Sequence, residues 1–245
     1  MYLTIDGDHM VRALALDGQV RLTAIRTTDL VSEARQTHDL SPLSTVALGR
    51  FMTGLELMAM DLKNETDEIT GIIKCEGELG GMTVVVKQNG DVKGFVQNSK
   101  VASYFKEDDA HKFDVHRAVQ NGVLTIIKSQ AGANPYSGSV HLVSGEIAED
   151  LTYYMASSEQ IPTILGLGVL LDSNGVKHSG GYLVQPMPGA SEEVLTYLEQ
   201  RISAFPDVSY LMEEGFNPAQ ILDLFIGDPE IDYLEVKPVR YQCDC

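Results

Sequence analysis

Two cysteines near the end of the chain have the spacing that most directly predicts chemistry. Cys243 and Cys245 are one residue apart, and the 245-residue chain contains one further cysteine, Cys75. A Cys-x-Cys pair can supply two of the four thiolates of a tetrahedral zinc site, with zinc–sulfur distances of about 2.3 Å. The sequence contains no Cys-x-x-Cys, so the pair amounts to half of such a site.

The same two cysteines are also suited to redox chemistry. Close thiols oxidise readily, and a disulfide between residues two apart closes a small, strained ring that makes the bond labile. Spacing alone leaves three interpretations open: a metal clamp, a redox switch, or a chain end that happens to contain two cysteines. We expect Cys75, which lies in an apolar segment, to behave as a small core side chain.

Catalytic motifs are otherwise weak, and the sequence favours a protein that is not an enzyme. His178 precedes Ser179, but adjacent side chains rarely face each other and the chain has no Gly-x-Ser-x-Gly elbow for a hydrolase. The other enzymatic alternative is a thiol-disulfide oxidoreductase using Cys243 and Cys245. Such enzymes carry their cysteines at a helix start, whereas these follow Pro238 near the chain end.

Composition limits the classes of partner. The chain has 18 basic and 35 acidic residues and a formal net charge of -17, whereas nucleic-acid affinity depends largely on basic side chains that neutralise phosphates. We therefore expect no nucleic-acid partner. No apolar run approaches the roughly 18 residues of a membrane span, and residues 1–10 lack the pattern of a secretory signal. Together with the few cysteines, this predicts a cytoplasmic protein without a membrane partner.

Alternating and turn-forming patterns predict an α+β fold. A mixed, largely antiparallel sheet body packed with helices should occupy residues 1–189, with hairpin turns at Asp17-Gly18 and Asn89-Gly90. Ser41 and Pro42 predict the start of a long helix. We expect the charged stretch 106–116 to be a loop, and Ser144 to cap a helix over 146–159.

The composition changes after Pro186-Met187-Pro188-Gly189. Residues 190–229 predict a linker of three short helices, and residues 230–245 predict a connection followed by the start of a zinc-binding module. Isolated helices of fewer than about 12 residues are marginal and depend on packing for their stability. The linker is therefore expected to be the least stable part of the chain.

Three segments together resemble the heat-shock protein 33 family, the redox-regulated 33 kDa chaperonins of bacteria. They are Ser158-Glu-Gln-Ile-Pro-Thr163 after the Tyr153-Tyr-Met155 helix end, Gly180-Gly-Tyr-Leu-Val-Gln-Pro-Met-Pro188, and Cys243-Asp-Cys245. The last matches the first half of the family's zinc motif, in which a Cys-x-x-Cys follows some thirty residues later. The resemblance covers essentially the whole chain in order.

The resemblance implies an ATP-independent holdase that is switched by oxidation. In the family, four cysteines hold zinc while the chaperone is inactive. Oxidants then form two disulfides and release the metal, the zinc module unfolds, and the linker before it is destabilised. Active subunits bind unfolding or oxidatively damaged client proteins and form homodimers. Cys243 and Cys245 carry over both as zinc ligands and as redox-disulfide cysteines, and no catalytic residue carries over.

The missing second cysteine pair leads to two expectations for this chain. We interpret it as truncated within its zinc domain, so that zinc is absent or weakly bound and the complete switch is lacking. Clients should then be held even under reducing conditions. We further expect the apolar side chains of the linker to form the client-binding surface, namely Leu195, Leu198, Ile202, Leu211, Ile221, Leu222, Leu224 and Phe225.

Overall fold

A computed structural model gives the structure of the chain and describes residues 5 to 243. The strands within this range are β1 (His9–Ala15), β2 (Val20–Arg26), β3 (Glu68–Cys75), β4 (Gly81–Lys87), β5 (Asp91–Val96), β6 (Gly122–Ser129), β7 (Tyr136–His141), β8 (Ile164–Asp172), β9 (Gly175–Pro186), β10 (Asp232–Pro238) and β11 (Arg240–Tyr241). The helices are α1 (Thr28–Thr37), α2 (Pro42–Met58), α3 (Val115–Val119), α4 (Ala148–Tyr154), α5 (Glu192–Ala204), α6 (Val208–Glu213) and α7 (Pro218–Ile226).

The strands form two sheets. The five-stranded sheet has the order β10-β1-β2-β9-β8, and the six-stranded sheet has the order β11-β5-β4-β3-β6-β7. All pairs are antiparallel except β11 with β5, which is parallel. The predicted α+β class with a mixed, largely antiparallel sheet body is confirmed.

Helix α2 lies between the sheets and forms the centre of the larger core. It begins as predicted, with Ser41 as N-cap and Pro42 at the first helical position. Phe51 and Leu55 are fully buried, and both reach Gly71 on β3, where a Cβ atom would overlap their side chains. Glycine at this position allows the helix to approach the sheet closely, and the ring and the leucine fill the space.

The linker helices α5, α6 and α7 cover the outer face of the five-stranded sheet and form a second core with it. The sheet residues of this core are at most 7% exposed and come from three adjacent strands: Val11, Ala13, Ala15, Val20, Leu22, Ala24, Tyr182 and Val184. The sheet is therefore buried on both faces, and the three short helices alone separate one of them from solvent.

Two local predictions are wrong. The segment 106–116 is not all loop, because α3 begins inside it at Val115 with the Asp114 side chain as cap. Ser144 does not cap the following helix, because Ile147 is the N-cap residue. The Asp150 carboxylate accepts hydrogen bonds from the backbone N–H groups of four residues over 143–147. The loop folds around a carboxylate from the helix that follows it, which a search for local Ser or Thr caps misses.

Candidate functional site

The segment that leads to Cys243 is built into both sheets. We call β10 and β11, residues 232–241, the strap. Its first part pairs antiparallel with β1, from Leu14 opposite Asp232 to His9 opposite Pro238. Its second part, Arg240–Tyr241, pairs with β5 of the other sheet. The predicted boundary at residue 229 stays a prediction, but the strap belongs to the sheets of the body by its hydrogen bonds.

Side chains fix the end of the strap next to Cys243. Arg240 Nε donates to Asp91 Oδ1 at 2.6 Å. Burial of that carboxylate raises its pKa, but hydrogen bonds from Arg240 and Asn89 outweigh this effect, so the pKa of Asp91 is lowered. Tyr241 is 6% exposed, and its hydroxyl lies 2.7 Å from His38 Nε2. The position of Cys243 therefore depends on contacts with the body of the protein.

A buried ion pair lies beneath the strap. Glu56 on α2 is fully buried, and neither of its carboxylate oxygens has a hydrogen-bond partner among the described residues. Lys237 Nζ on β10 lies 3.6 Å from Glu56 Oε1. Burial raises the pKa of Glu56 to about 7, although Lys237 opposes the shift. The strap thus supplies the positive charge that faces the central helix.

The cysteines are placed differently from one another. Cys243 is bonded in a disulfide, whereas Cys245 lies outside the described residues. Cys75 is a free, half-buried cysteine on β3, and burial raises the pKa of its thiol. It packs against the core, as the sequence predicts. The roles of Cys243 and Cys245 as zinc ligands and as a redox disulfide stay predictions.

The donor atoms do not amount to a zinc site. Among residues 5–243, no group of three or more His, Cys, Asp or Glu side chains is placed to hold a metal ion. A disulfide sulfur, as in Cys243, is not the thiolate that zinc requires. A four-thiolate set also exceeds the two cysteines of this segment. The described part of the chain therefore does not fit bound zinc.

Most of the predicted client-binding residues are buried in the linker–sheet core. At most 3% of the surface of each of five side chains is exposed: Leu198, Leu211, Ile221, Leu222 and Phe225. Leu195 is partly exposed, while Ile202 and Leu224 are 44% and 38% exposed. The structure therefore brings the five together on the sheet, and their use as a client surface requires the helices to leave it.

An aromatic cluster holds the linker to the sheet. The Tyr182 ring on β9 lies 5.2 Å from the Phe205 ring and 5.4 Å from the Phe225 ring, measured between centroids. The two phenylalanine rings are 4.9 Å apart. Burial also raises the pKa of Tyr182 to about 12. Sequence reasoning missed Tyr182 and Phe205 in this role; the only available signal was that large aromatic side chains seek burial.

Charged contacts hold both ends of α6 to the body. Lys112 Nζ lies 2.6 Å from Asp207 at the start of the helix. At its end, Glu213 pairs with Lys177 and with His178, whose Nε2 is 3.0 Å away. These exposed pairs are individually weak because solvent screens them, but together they connect both ends of the helix to the body.

These contacts also bear on the hydrolase alternative. His178 is directed toward Glu213, whereas Ser179 is fully buried and its Oγ lies 2.9 Å from Thr27 Oγ1. The two side chains have different partners, so their adjacency in sequence does not create a nucleophile–base pair.

Comparison with known proteins supports one family. The family model described as Hsp33 protein matches residues 8–245. The chain is 43% identical over 239 residues to the 33 kDa chaperonin of Ruminiclostridium cellulolyticum, covering 98% of this chain and 81% of the relative. It is 40% identical over 241 residues to the 33 kDa chaperonin of Bacillus subtilis, covering 97% and 81%.

A solved structure gives the same result. The crystal structure of the 33 kDa chaperonin of Thermotoga maritima superposes with a TM-score of 0.89 at 35% identity, covering 97% of this chain and 81% of that one. Within residues 5–243, no helix has the length and apolarity needed to cross a membrane. On the match of nearly the whole chain to the family model and to these relatives, the protein belongs to the Hsp33 family.

Proposed function

We propose that the protein is an ATP-independent holdase that binds unfolding proteins on apolar surface released when its linker helices leave the five-stranded sheet. The observation that carries the proposal is the outer face of that sheet, which is continuous and apolar and is covered by α5, α6 and α7 with their connections. The names of the relatives, 33 kDa chaperonins, support a chaperone role.

The linker is suited to reversible release. Helices α6 and α7 are six and nine residues long, below the length at which isolated helices are stable in water. Their stability therefore comes from the apolar contacts they make with the sheet. Release would expose both partners of that contact at once, the sheet face and the apolar sides of the helices, and would not require the larger core to open.

Redox control would act through the strap. The redox state of Cys243 and Cys245 would act on the chain directly after Tyr241, and the strap is continuous with α7 through residues 227–231. We propose that a disturbance at the cysteines loosens the strap first and the linker next. In a longer form with four cysteines, zinc would hold the reduced state, and homodimers would form in the active state. We propose the cytoplasm as the site of action, because this compartment keeps thiols reduced until oxidative stress occurs.

The test compares reduced and peroxide-treated protein for suppression of aggregation of a thermally unfolding client enzyme, without ATP. Hydrogen exchange over residues 191–227 is measured on the same samples. We expect activity to follow loss of protection in this range. Activity with the range fully protected would reject the linker mechanism, and no suppression in either state would reject the holdase function.

Two controls separate the alternatives. Cys75→Ser should leave the response to peroxide unchanged, since Cys75 lies in the core, whereas Cys243→Ser should abolish any response. Turnover of a small disulfide substrate should be absent, because the proposed activity is binding alone. Turnover that depends on Cys243 would instead support a thiol-disulfide oxidoreductase.

A further inference from the structure

A groove runs along β8, the strand at the free edge of the five-stranded sheet. Its volume is about 660 Å³. One side is formed by α4 and the turn after it, including Tyr153. The other is formed by the end of α5, including Ile202, and by the α5–α6 connection, including Phe205. The floor is the strand itself over residues 164–167. The groove is present while the linker is docked.

The floor of the groove offers unpaired backbone groups. Strand β8 pairs with β9 on one side. On its other side, no hydrogen bond from any described residue reaches the backbone of 164–167. An antiparallel edge strand leaves the N–H and C=O groups of alternate residues free, and such an edge is a template for another strand. The residues of this stretch are partly exposed and line the groove.

The two sides of the groove carry exposed apolar side chains. Tyr153 is 45% exposed and Ile202 is 44% exposed. Between them, the Tyr182 ring covers Gly166 in the place that a side chain of residue 166 would take. A free strand edge between two apolar sides fits an extended chain with apolar side chains.

The charge around the groove favours one kind of occupant. Glu149 on the α4 side is exposed, with no ion pair among the described residues. The chain as a whole carries a formal net charge of -17. A second copy of the chain would bring the same charge and be repelled, whereas a segment with lysine or arginine would be attracted.

We propose that this groove binds an extended, apolar and basic segment of an unfolded protein as an added strand on β8. The inference rests on the proposed function and names a client site within it. The site differs from the surface beneath the linker because it is already formed when α5 to α7 are docked. Backbone pairing would give affinity for many sequences. Successive side chains of the added strand, which point to opposite faces, would lie against Tyr153 on one side and Ile202 on the other.

The test uses a fluorescein-labelled nine-residue peptide of alternating valine and lysine, with affinity measured by fluorescence anisotropy on the reduced chain. Two further peptides carry backbone N-methyl groups, one at the odd positions and one at the even positions. Because only alternate residues of an added strand face its partner, we expect one N-methylated peptide to lose at least tenfold in affinity and the other to stay within twofold. Equal loss in both, or in neither, would overturn strand addition.

Variants locate the site. Ile202→Ser and Tyr153→Ser, which remove the apolar side chains without adding charge, should each weaken binding of the peptide at least fivefold. Tyr210→Ser is the matched control, because Tyr210 is 57% exposed on α6 and does not line the groove. Far-UV circular dichroism checks that the variants fold. Weakening by the Tyr210 variant to the same extent, or none by the other two, would place the peptide elsewhere and reject the groove.

The outcomes distinguish this inference from the proposed function. If wild-type protein suppresses client aggregation but binds the two N-methylated peptides with equal affinity, the groove is rejected as a client site and the holdase function stands. If the peptide binds in register but aggregation is not suppressed, the groove stands as a peptide site and the holdase function is rejected.

Discussion

The buried Glu56–Lys237 pair predicts a specific dependence of stability on pH. Burial raises the pKa of Glu56 in the folded chain from 4.5 to about 7. The folded state therefore binds this proton more tightly than the unfolded state does. The contribution to stability is greatest below pH 4.5 and is lost as the pH rises through 7. At about 1.4 kcal/mol per pKa unit, the loss between pH 5 and pH 8 is about 2–3 kcal/mol.

The perturbation is Glu56→Gln, which is neutral at every pH. The free energy of unfolding is measured by urea denaturation at pH 5, 6, 7 and 8, followed by far-UV circular dichroism because the chain has no tryptophan. We expect the free energy of unfolding of the variant to gain about 2–3 kcal/mol relative to wild type between pH 5 and pH 8. Leaving Lys237 without its partner changes the free energy of unfolding of the variant by the same amount at every pH. It therefore does not alter how the difference between variant and wild type depends on pH.

Two further variants test whether the pH dependence comes from the buried carboxyl of Glu56. Lys237→Met removes the opposing charge, so the pKa of Glu56 should rise further and the loss of stability should extend to higher pH. Glu33→Gln, at an exposed glutamate of α1, should change the free energy of unfolding by no more than about 0.5 kcal/mol. A Glu56→Gln difference that is the same at pH 5 and pH 8 would refute the reasoning.

Three further predictions concern the linker and the cysteines. Phe225→Ala removes a fully buried ring, a change that costs about 3–5 kcal/mol in well-packed cores. The reduced variant should suppress client aggregation more strongly than the reduced wild-type chain does, and equal suppression by the two would contradict this. Gly168→Ala places a Cβ 2.8 Å from the Ser209 backbone nitrogen, so α6 should move off the sheet. Hydrogen exchange over 208–213 should then become faster, and unchanged protection of these residues would contradict the prediction. Atomic emission should find well under one tightly held zinc per chain, since Cys243 and Cys245 supply only two thiolates, and one zinc per chain would disprove it.

The elements that the sequence predicted well are those fixed by neighbouring residues. The hairpins at Asp17-Gly18 and Asn89-Gly90 form because these pairs accept the backbone angles of tight turns. The three linker helices occupy the predicted ranges because Ser191, Asn217 and Gly227 mark their ends locally. Such signals depend on a few adjacent side chains and need no knowledge of the rest of the fold.

The missed features depend on residues far apart in the chain. The strap was expected to be a connection, yet it pairs with β1 and β5; its pattern does not show which sheet edges are open to receive it. The Lys112–Asp207 contact and the packing of Tyr182 on Phe225 likewise join distant segments. The apolar residues of the linker were identified from sequence, but whether they face solvent or the sheet depends on the second core.

The register of the strap also determines how it responds to tension. The start of β1 at His9 lies opposite the end of β10 at Pro238, so a pull on the Cys243 side draws the two strands apart from one end. The load then runs along the hydrogen bonds, which lie perpendicular to antiparallel strands, and they break one after another as in a zipper. Opening would pass Tyr241 and Arg240 on β5 first, then Lys237, and Asp232 last. A force at the cysteine end would therefore open the strap stepwise toward α7.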